Sequence, residues 1–396
     1  MAVADLERAA STSELSLIEG GPGDKLLRRV HLAPPRSAEK TLRLALALAA
    51  LSWIPLALLS LLGGLAWSGS TIPFVKDLAA HFRFLFALPV LILAEIPIEA
   101  RLAPAVRQFA TSGLVRAEDT ARFREIIRDA VRFRDWRQAE VALIVLTVIL
   151  CWFLFHSVQA TGTSTWFQPG PSGHLSLAGW WYAFVALPVY QFLLWRWVYR
   201  LLVWSRFLWQ LTGLELALTP SHPDGSGGLS FLGRATVPFG LLLFALSAVL
   251  SAEIAEQIIF AGARLEDYWI TYVTLAVLGL VIFVGPLLIF VPTLFHLKHE
   301  GLMQYGSLAT TYTQAFQRKW LDGEAPAAEP LLGTGDIQSL ADLANSYEVV
   351  RRGRLVPIDR NDIIALLLTV VVPALPLVLT VMPLAAIFRA LLKTVA

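Results

Sequence analysis

The string His222-Pro223-Asp224-Gly225-Ser226-Gly227-Gly228-Leu229 gathers the residue types in this chain most able to do chemistry. Its glycines can turn successive backbone N–H groups inward as an anion-binding nest, while His222 and Asp224 can hold a cation or move a proton. A nucleotide-binding phosphate loop would also need Lys followed by Ser or Thr, and neither follows. Pro-Asp-Gly is equally an ordinary turn, with Asp capping backbone donors and Gly supplying positive φ. His222, Asp224, Gly225, Gly227 and Gly228 are therefore candidates for a ligand-binding or gating loop, with a purely structural turn as the alternative.

A second set of candidates is ionisable residues inside long apolar runs, where charge is costly and often marks a pathway. Glu95 and Glu99 are four apart, as are Arg196 and Arg200, so each pair shares one helical face. An interhelical pairing such as Glu95 with Arg196 is geometrically reasonable, either along an ion path or as a structural ion pair. Glu253, Glu256 and Gln257 share a face near the end of a later run. With Glu266, Asp267 and Arg264 that region is net −3 and could concentrate cations at a pore mouth. Glu95, Glu99, Arg196, Glu253 and Glu256 are thus the ion-path candidates.

His296, His299 and Glu300 fall close together without a further placed ligand, so no metal site is expected. The chain has no HExxH, no Walker loop, no dinucleotide fingerprint and no GxSxG, so no catalytic residue and no cofactor is assigned. The single Cys151 excludes a disulfide framework within the chain and a cysteine-based cluster.

The elements that must position these residues are membrane spans. The 396 residues are 56% hydrophobic and 16% charged, and Asp, Glu, Lys and Arg are absent from 44–75, 141–195, 268–297 and 363–388. A helix crosses the hydrocarbon core in roughly 20 apolar residues, so these runs are spans, and 141–195 must hold two. Seven spans are expected near 42–67, 84–102, 140–158, 179–204, 235–260, 270–297 and 362–391. Of the 32 Lys and Arg residues, 27 lie in 1–43, 101–140, 196–234 and 298–360, segments that alternate with the spans; five lie elsewhere. Basic residues stay on the cytoplasmic side, which puts the N-terminus inside and, after seven crossings, the C-terminus outside. Pro373, Pro376 and Pro383 could instead break the last span into a re-entrant hairpin. Trp67, Trp166, Trp180, Trp181 and Trp269 fall at the outer interface, as an aromatic belt would.

The fold class is therefore all-α, a polytopic membrane helix bundle. Residues 1–38 are expected to form a disordered cytoplasmic tail, and 39–396 one transmembrane domain with cytoplasmic segments 103–139, 205–234 and 298–361. Residues 116–138 predict an amphipathic helix with Phe123, Ile127, Ala130 and Val131 on one stripe, lying on the inner leaflet or continuing the third span. Residues 296–320 prolong the sixth span. Asp336 caps a helix over 337–352, with Leu340, Leu343, Ala344, Tyr347 and Val350 on one face and Gly353 as its stop. Six of the seven expected spans hold proline, as broken helices lining a path do and as membrane helices do in general. Ala87-Leu88-Pro89-Val90 matches Ala186-Leu187-Pro188-Val189, but the similarity ends there and no repeat is expected.

The loop string, continued by Leu229-Ser230-Phe231-Leu232, resembles a bacterial family of polytopic inner-membrane proteins without an assigned activity. The resemblance extends to Tyr305-Gly306-Ser307-Leu308-Ala309, to Arg318-Lys319-Trp320-Leu321, to the stretch Asp336-Ile337-Gln338-Ser339-Leu340, and to Leu355-Val356-Pro357 with the proline-rich last span. It covers the C-terminal half well and the N-terminal half loosely. Ile358-Asp359 departs from the pattern. The resemblance implies that the cytoplasmic ends of spans four, six and seven form one assembly, and it implies no substrate.

Net charge of +2 says nothing about nucleic acid, since the cations are committed to topology; the bilayer is the expected partner, and no nucleic-acid partner is expected. Arg outnumbering Lys and abundant Ala fit a GC-rich bacterial genome, hence a multi-pass inner-membrane location. Three functions remain: an oligomeric channel or transporter for an ion or small solute, with a homo-oligomer expected; a scaffold or sensor docking a cytoplasmic protein partner; and a membrane enzyme using His222 and Asp224.

Overall fold

A computed structural model describes Ser16 and residues 38–160, 164–169, 174–323, 329 and 334–381. The expected tail, 1–38, lies outside the described residues apart from Ser16 and Ala38. Nine helices account for the described chain: α1 (Ala38–Leu62), α2 (Leu78–Thr111), α3 (Thr120–Arg134), α4 (Arg137–Ala160), α5 (Leu177–Leu211), α6 (Phe231–Ala261), α7 (Leu265–Trp320), α8 (Asp336–Arg352) and α9 (Arg360–Val381). No strand occurs among the described residues, only the isolated bridges Ile72 to Thr165 and Val115 to Leu216.

Six helices, α1, α2, α5, α6, α7 and α9, are long and apolar enough to cross a membrane, and α4 adds a seventh when taken with α3, from which it bends by 40°. Burial separates them. The core of α6 is enclosed, whereas Leu46, Leu58 and Leu62 on α1, Val141 and Val148 on α4, and Val277 and Val281 on α7 are each more than half exposed. Apolar faces of that extent are unstable against water and natural against lipid. The chain is a multi-pass integral membrane protein. Lacking a hydrophobic drive between helices, its bundle packs through small residues. Gly240 on α6 lies where a Cβ would sit 2.9 Å from Thr369 of α9, and Ser247 donates to the Val370 carbonyl at 2.6 Å.

The ends of the spans sort cleanly. The C-termini of α2 and α5 and the N-termini of α6 and α9 meet at the arginine-rich end, where the Ala217 N–H donates to Leu114 O at 2.8 Å. At the opposite end, the N-terminus of α2 meets the C-terminal part of α6, and the Ala79 N–H donates to Glu256 at 2.7 Å. Trp166 departs from the expected aromatic belt. It is fully buried, its indole N–H donating to Asp77 at 2.7 Å and its ring against Phe74 and Tyr182. Trp67, Trp180 and Trp269 stay exposed. Pro373 and Pro376 lie within a continuous α9, so neither breaks it into a hairpin; Pro383 lies outside the described residues.

The helical hairpins α1–α2 and α4–α5 repeat, which corrects the expectation of no repeat. Their starts, Ala38 with Arg137 and Leu78 with Leu177, share one register, as do Arg83 and Tyr182, which lie 99 residues apart. Asp77 caps α2 by accepting the Ala80 N–H, and Ser176, in the equivalent position, caps α5 by accepting the Gly179 N–H. Each helix then widens into a π-turn, Phe82–Ala87 and Tyr182–Ala186, just before its proline. Pro89 and Pro188 have no N–H to offer the carbonyl four residues back, and the wider turn absorbs that loss. The Leu88 and Leu187 N–H groups reach back to the carbonyls of Arg83 and Tyr182.

Outside the bundle, α3 buries Phe123, Ile126 and Ala130 against α5; the inward stripe thus uses Ile126, while Ile127 and Val131 are half-buried. α7 is 56 residues long, about 84 Å at 1.5 Å per residue, more than twice the roughly 30 Å hydrocarbon core. α8 folds back along its far part. Asp336 accepts from Lys319 and from the Trp320 indole, both at 2.9 Å, and Tyr312 donates to the Asp336 carbonyl at 3.0 Å.

Candidate functional site

The two π-turns point one polar residue each at the other. The Arg83 guanidinium donates to the Tyr182 hydroxyl at 2.7 Å and pairs with Glu253 of α6 at 2.5 Å. Its Cζ lies 6.0 Å from the centre of the Tyr190 ring. The Arg83 side chain is 15% exposed and that of Glu253 47%. These groups form one pole of a cavity of about 780 Å³ between α5, α6 and α7, with Cys151 of α4 on its wall. Below the pole the lining is mainly apolar, with Leu187, Leu194, Leu246, Val249, Leu275 and Leu278, and carries Gln191 and Thr274 as polar groups without charge. At the level below, Trp197 meets Phe239 edge-on and Phe239 stacks on Phe283, where α5 packs against Gly285–Phe290 of α7. The size is that of ordinary small-molecule sites, which pair apolar walls with a few convergent polar groups.

The ion-path candidates are each engaged. Glu95 pairs with Arg200 at 2.7 Å, one turn beyond the Arg196 that spacing suggested, and Arg200 also covers the Trp197 ring at 4.8 Å. Glu99 and Arg196, on the same two helices, also have partners. Glu256 accepts from the Ala79 N–H, and Asp77 accepts from the Ala80 N–H and the Trp166 indole, so both carboxylates sit on the N-terminus of α2, the positive end of its dipole. Arg264 pairs with Glu266. Within the chain, the acidic region is held by salt bridges and caps.

At the basic end the glycine-rich loop turns its donors on its own carboxylate. Asp224 Oδ1 accepts from the N–H groups of Ser226 at 2.8 Å and Gly228 at 3.1 Å, and Oδ2 from Ser230 at 3.0 Å. His222 Nδ1 lies 2.8 Å from the same Oδ1. Burial pushes the Asp224 carboxyl upward, but the three N–H groups and His222 together hold it below the usual carboxylate range. Gly225, Gly227 and Gly228 all have positive φ, which only glycine adopts without strain. Arg354, after α8, donates to the Asp224 carbonyl at 2.6 Å from its side chain and to Gly225 O at 2.7 Å from its backbone. The loop therefore locks the start of α6 to the segment leading into α9. Among the described residues no group of three or more His, Cys, Asp or Glu side chains could hold a metal.

Reasoning from sequence passed over Arg83, Tyr182 and Tyr190, because Arg83 reads as one of the few cations on the sparse side. The matched Ala-Leu-Pro-Val strings were the available signal: Arg83 and Tyr182 each stand six residues before the proline. No protein-family model, curated protein or solved structure matches the chain.

Proposed function

We propose that the protein is a carrier in a bacterial cytoplasmic membrane, N-terminus inside, that takes a small amphipathic solute into the cavity between α5, α6 and α7. One observation carries this reading: the cavity is mainly apolar along its depth, with Gln191 and Thr274 among its leucines and valines, and its charged groups, Arg83 and Glu253, stand together with the Tyr182 hydroxyl at one end. The partition of Lys and Arg supports the sidedness and puts that pole in the outer half of the bilayer. An ion channel has less support, since Glu95, Glu253 and Glu256 are each engaged by a partner. Docking of a cytoplasmic partner also has less, because α3 packs on α5 and α8 on the far part of α7. The family that the loop string resembles belongs to the same proposal and adds no substrate to it.

The only cysteine in the chain makes the test direct, because Cys151 lines the cavity. In proteoliposomes, amphiphiles that enter should slow N-ethylmaleimide labelling of Cys151 and should be taken up. Leu246→Trp, which fills the cavity, should abolish uptake while leaving the protein folded. Labelling indifferent to every amphiphile, or uptake undiminished by Leu246→Trp, would refute the carrier.

A further inference from the structure

Resting on the carrier reading, we propose that the solute bears an anionic head group, a carboxylate or phosphate ester, that replaces the Glu253 carboxylate on Arg83. The geometry separates a fixed partner from a replaceable one. Arg83 is 15% exposed, held by the Tyr182 hydroxyl at 2.7 Å and faced by the Tyr190 ring. Glu253 contacts the same guanidinium at 2.5 Å yet is 47% exposed, so of the two partners its carboxylate is the one with room to swing away. A guanidinium presents planar donors that suit carboxylate and phosphate alike, and Glu253 occupies the place such an oxyanion takes.

The electrostatics favour exchange over addition. Glu253 meets the guanidinium through its Oε1 on Nη2, so a head that sets two oxygens on the guanidinium fork exchanges that bond for a bidentate pair, and the swap favours the anion. Burial of the apolar tail then supplies the affinity. The wall from Tyr182 to Leu194 accommodates a tail of about 18 Å at 1.5 Å per residue. Asp77 and Glu256, the nearby acids, do not line the cavity and are turned onto the N-terminus of α2. A cationic head would meet Arg83 itself, and a neutral head would leave the Arg83–Glu253 pair in place.

The test uses the full-length protein in nanodiscs of phosphatidylcholine, with cis-parinaric acid and its methyl ester as fluorescent probes. The acid should bind at least tenfold more tightly than the ester. Glu253→Gln should tighten the acid about tenfold and leave the ester unchanged. Arg83→Gln should erase the preference for the acid, and Arg83→Lys, which keeps the charge if the Gln variant fails to fold, should retain part of it. Competition by phosphatidylglycerol would mark a lipid as the source of the head group, and competition by free decanoate a soluble amphiphile; competition by neither would overturn the inference. Equal binding of acid and ester, unmoved by Glu253→Gln, would overturn the head-group inference and leave the carrier standing. Binding of neither probe would overturn both.

Discussion

Replacing Asp224 by Asn removes one acceptor where three backbone donors converge. In the native loop Oδ1 serves Ser226 and Gly228 and Oδ2 serves Ser230, at 2.8, 3.1 and 3.0 Å, with the side chain 15% exposed. Asparagine can keep the first two as neutral bonds of roughly half the strength. Its NH2 group would then face the Ser230 N–H, donor against donor. A lost bond to a charged group costs about 1.5–3 kcal/mol, so the whole change should cost about 3 kcal/mol. That is a factor of roughly 150 in the opening equilibrium of the loop. Hydrogen exchange followed by mass spectrometry over 219–233 measures it. The amides of Ser226, Gly228 and Ser230 should lose on the order of a hundredfold in protection, while α6 beyond Gly240 stays protected. The pH dependence follows from the same bonds. The folded-state pKa of Asp224 lies below the ordinary 3.8, so its contribution is complete above that value and lost as pH falls through the folded one. After correction for intrinsic exchange, wild-type protection should hold from about pH 8 to about pH 5 and decline only below about pH 4. Protection in Asp224→Asn within threefold of wild type would show that the carboxylate does not organise this loop.

Three further outcomes test the packing. Gly233→Ala should lower the thermal-shift midpoint markedly, because a Cβ there would lie 2.8 Å from the Ile358 Cα and 2.9 Å from the Pro357 carbonyl oxygen, backbone atoms that cannot yield; an unchanged midpoint would contradict the tight α6–α9 junction. Arg200→Met should destabilise by about 3–5 kcal/mol because it strands Glu95, while Arg200→Met with Glu95→Leu should recover most of the loss. A thermal-shift double-mutant cycle reads both, and equal losses in the single and double variants would refute the pairing. Pro89→Ala and Pro188→Ala should each let a π-turn relax toward α-helix and weaken amphiphile protection of Cys151, and an effect at one site alone would argue against equivalent roles for the two π-turns.

The spans were legible in the sequence because lipid imposes a long-range rule on composition: uncharged runs and alternating basic segments survive whatever the side chains pack against. The long α7 and the hairpin partner α8 were legible for a similar reason, since Gly301 and Gly306 are too weak to stop a helix with no proline after Pro292. Partner choice was less so. Arg196 and Arg200 share a face, and only the axial offset between α2 and α5 decides that Glu95 meets Arg200. The repeat was nearly hidden. Identities such as Leu78-Ala79 with Leu177-Ala178 and Arg101-Leu102 with Arg200-Leu201 are thinly scattered, and most of the shared register lies in caps and turn widths that many residues can satisfy. Cavity residues drawn from several helices leave no contiguous string, so Arg83 and Glu253, 170 positions apart, could be joined only in three dimensions.

The length of α7 has a mechanical consequence. Its Gly285–Phe290 segment is wound as a 3-10 helix and touches α5 at the cavity floor, while the helix runs on to Trp320. From Leu288 to the tip is about 48 Å at 1.5 Å per residue, so a tilt of about 5° pivoting there moves Trp320 by about 4 Å. A tilt of α7 about this contact would thus be amplified about as far as the helix is long. The distance between spin labels on the α7 tip and on α3, measured with the cavity empty and filled, tests whether filling tilts the helix.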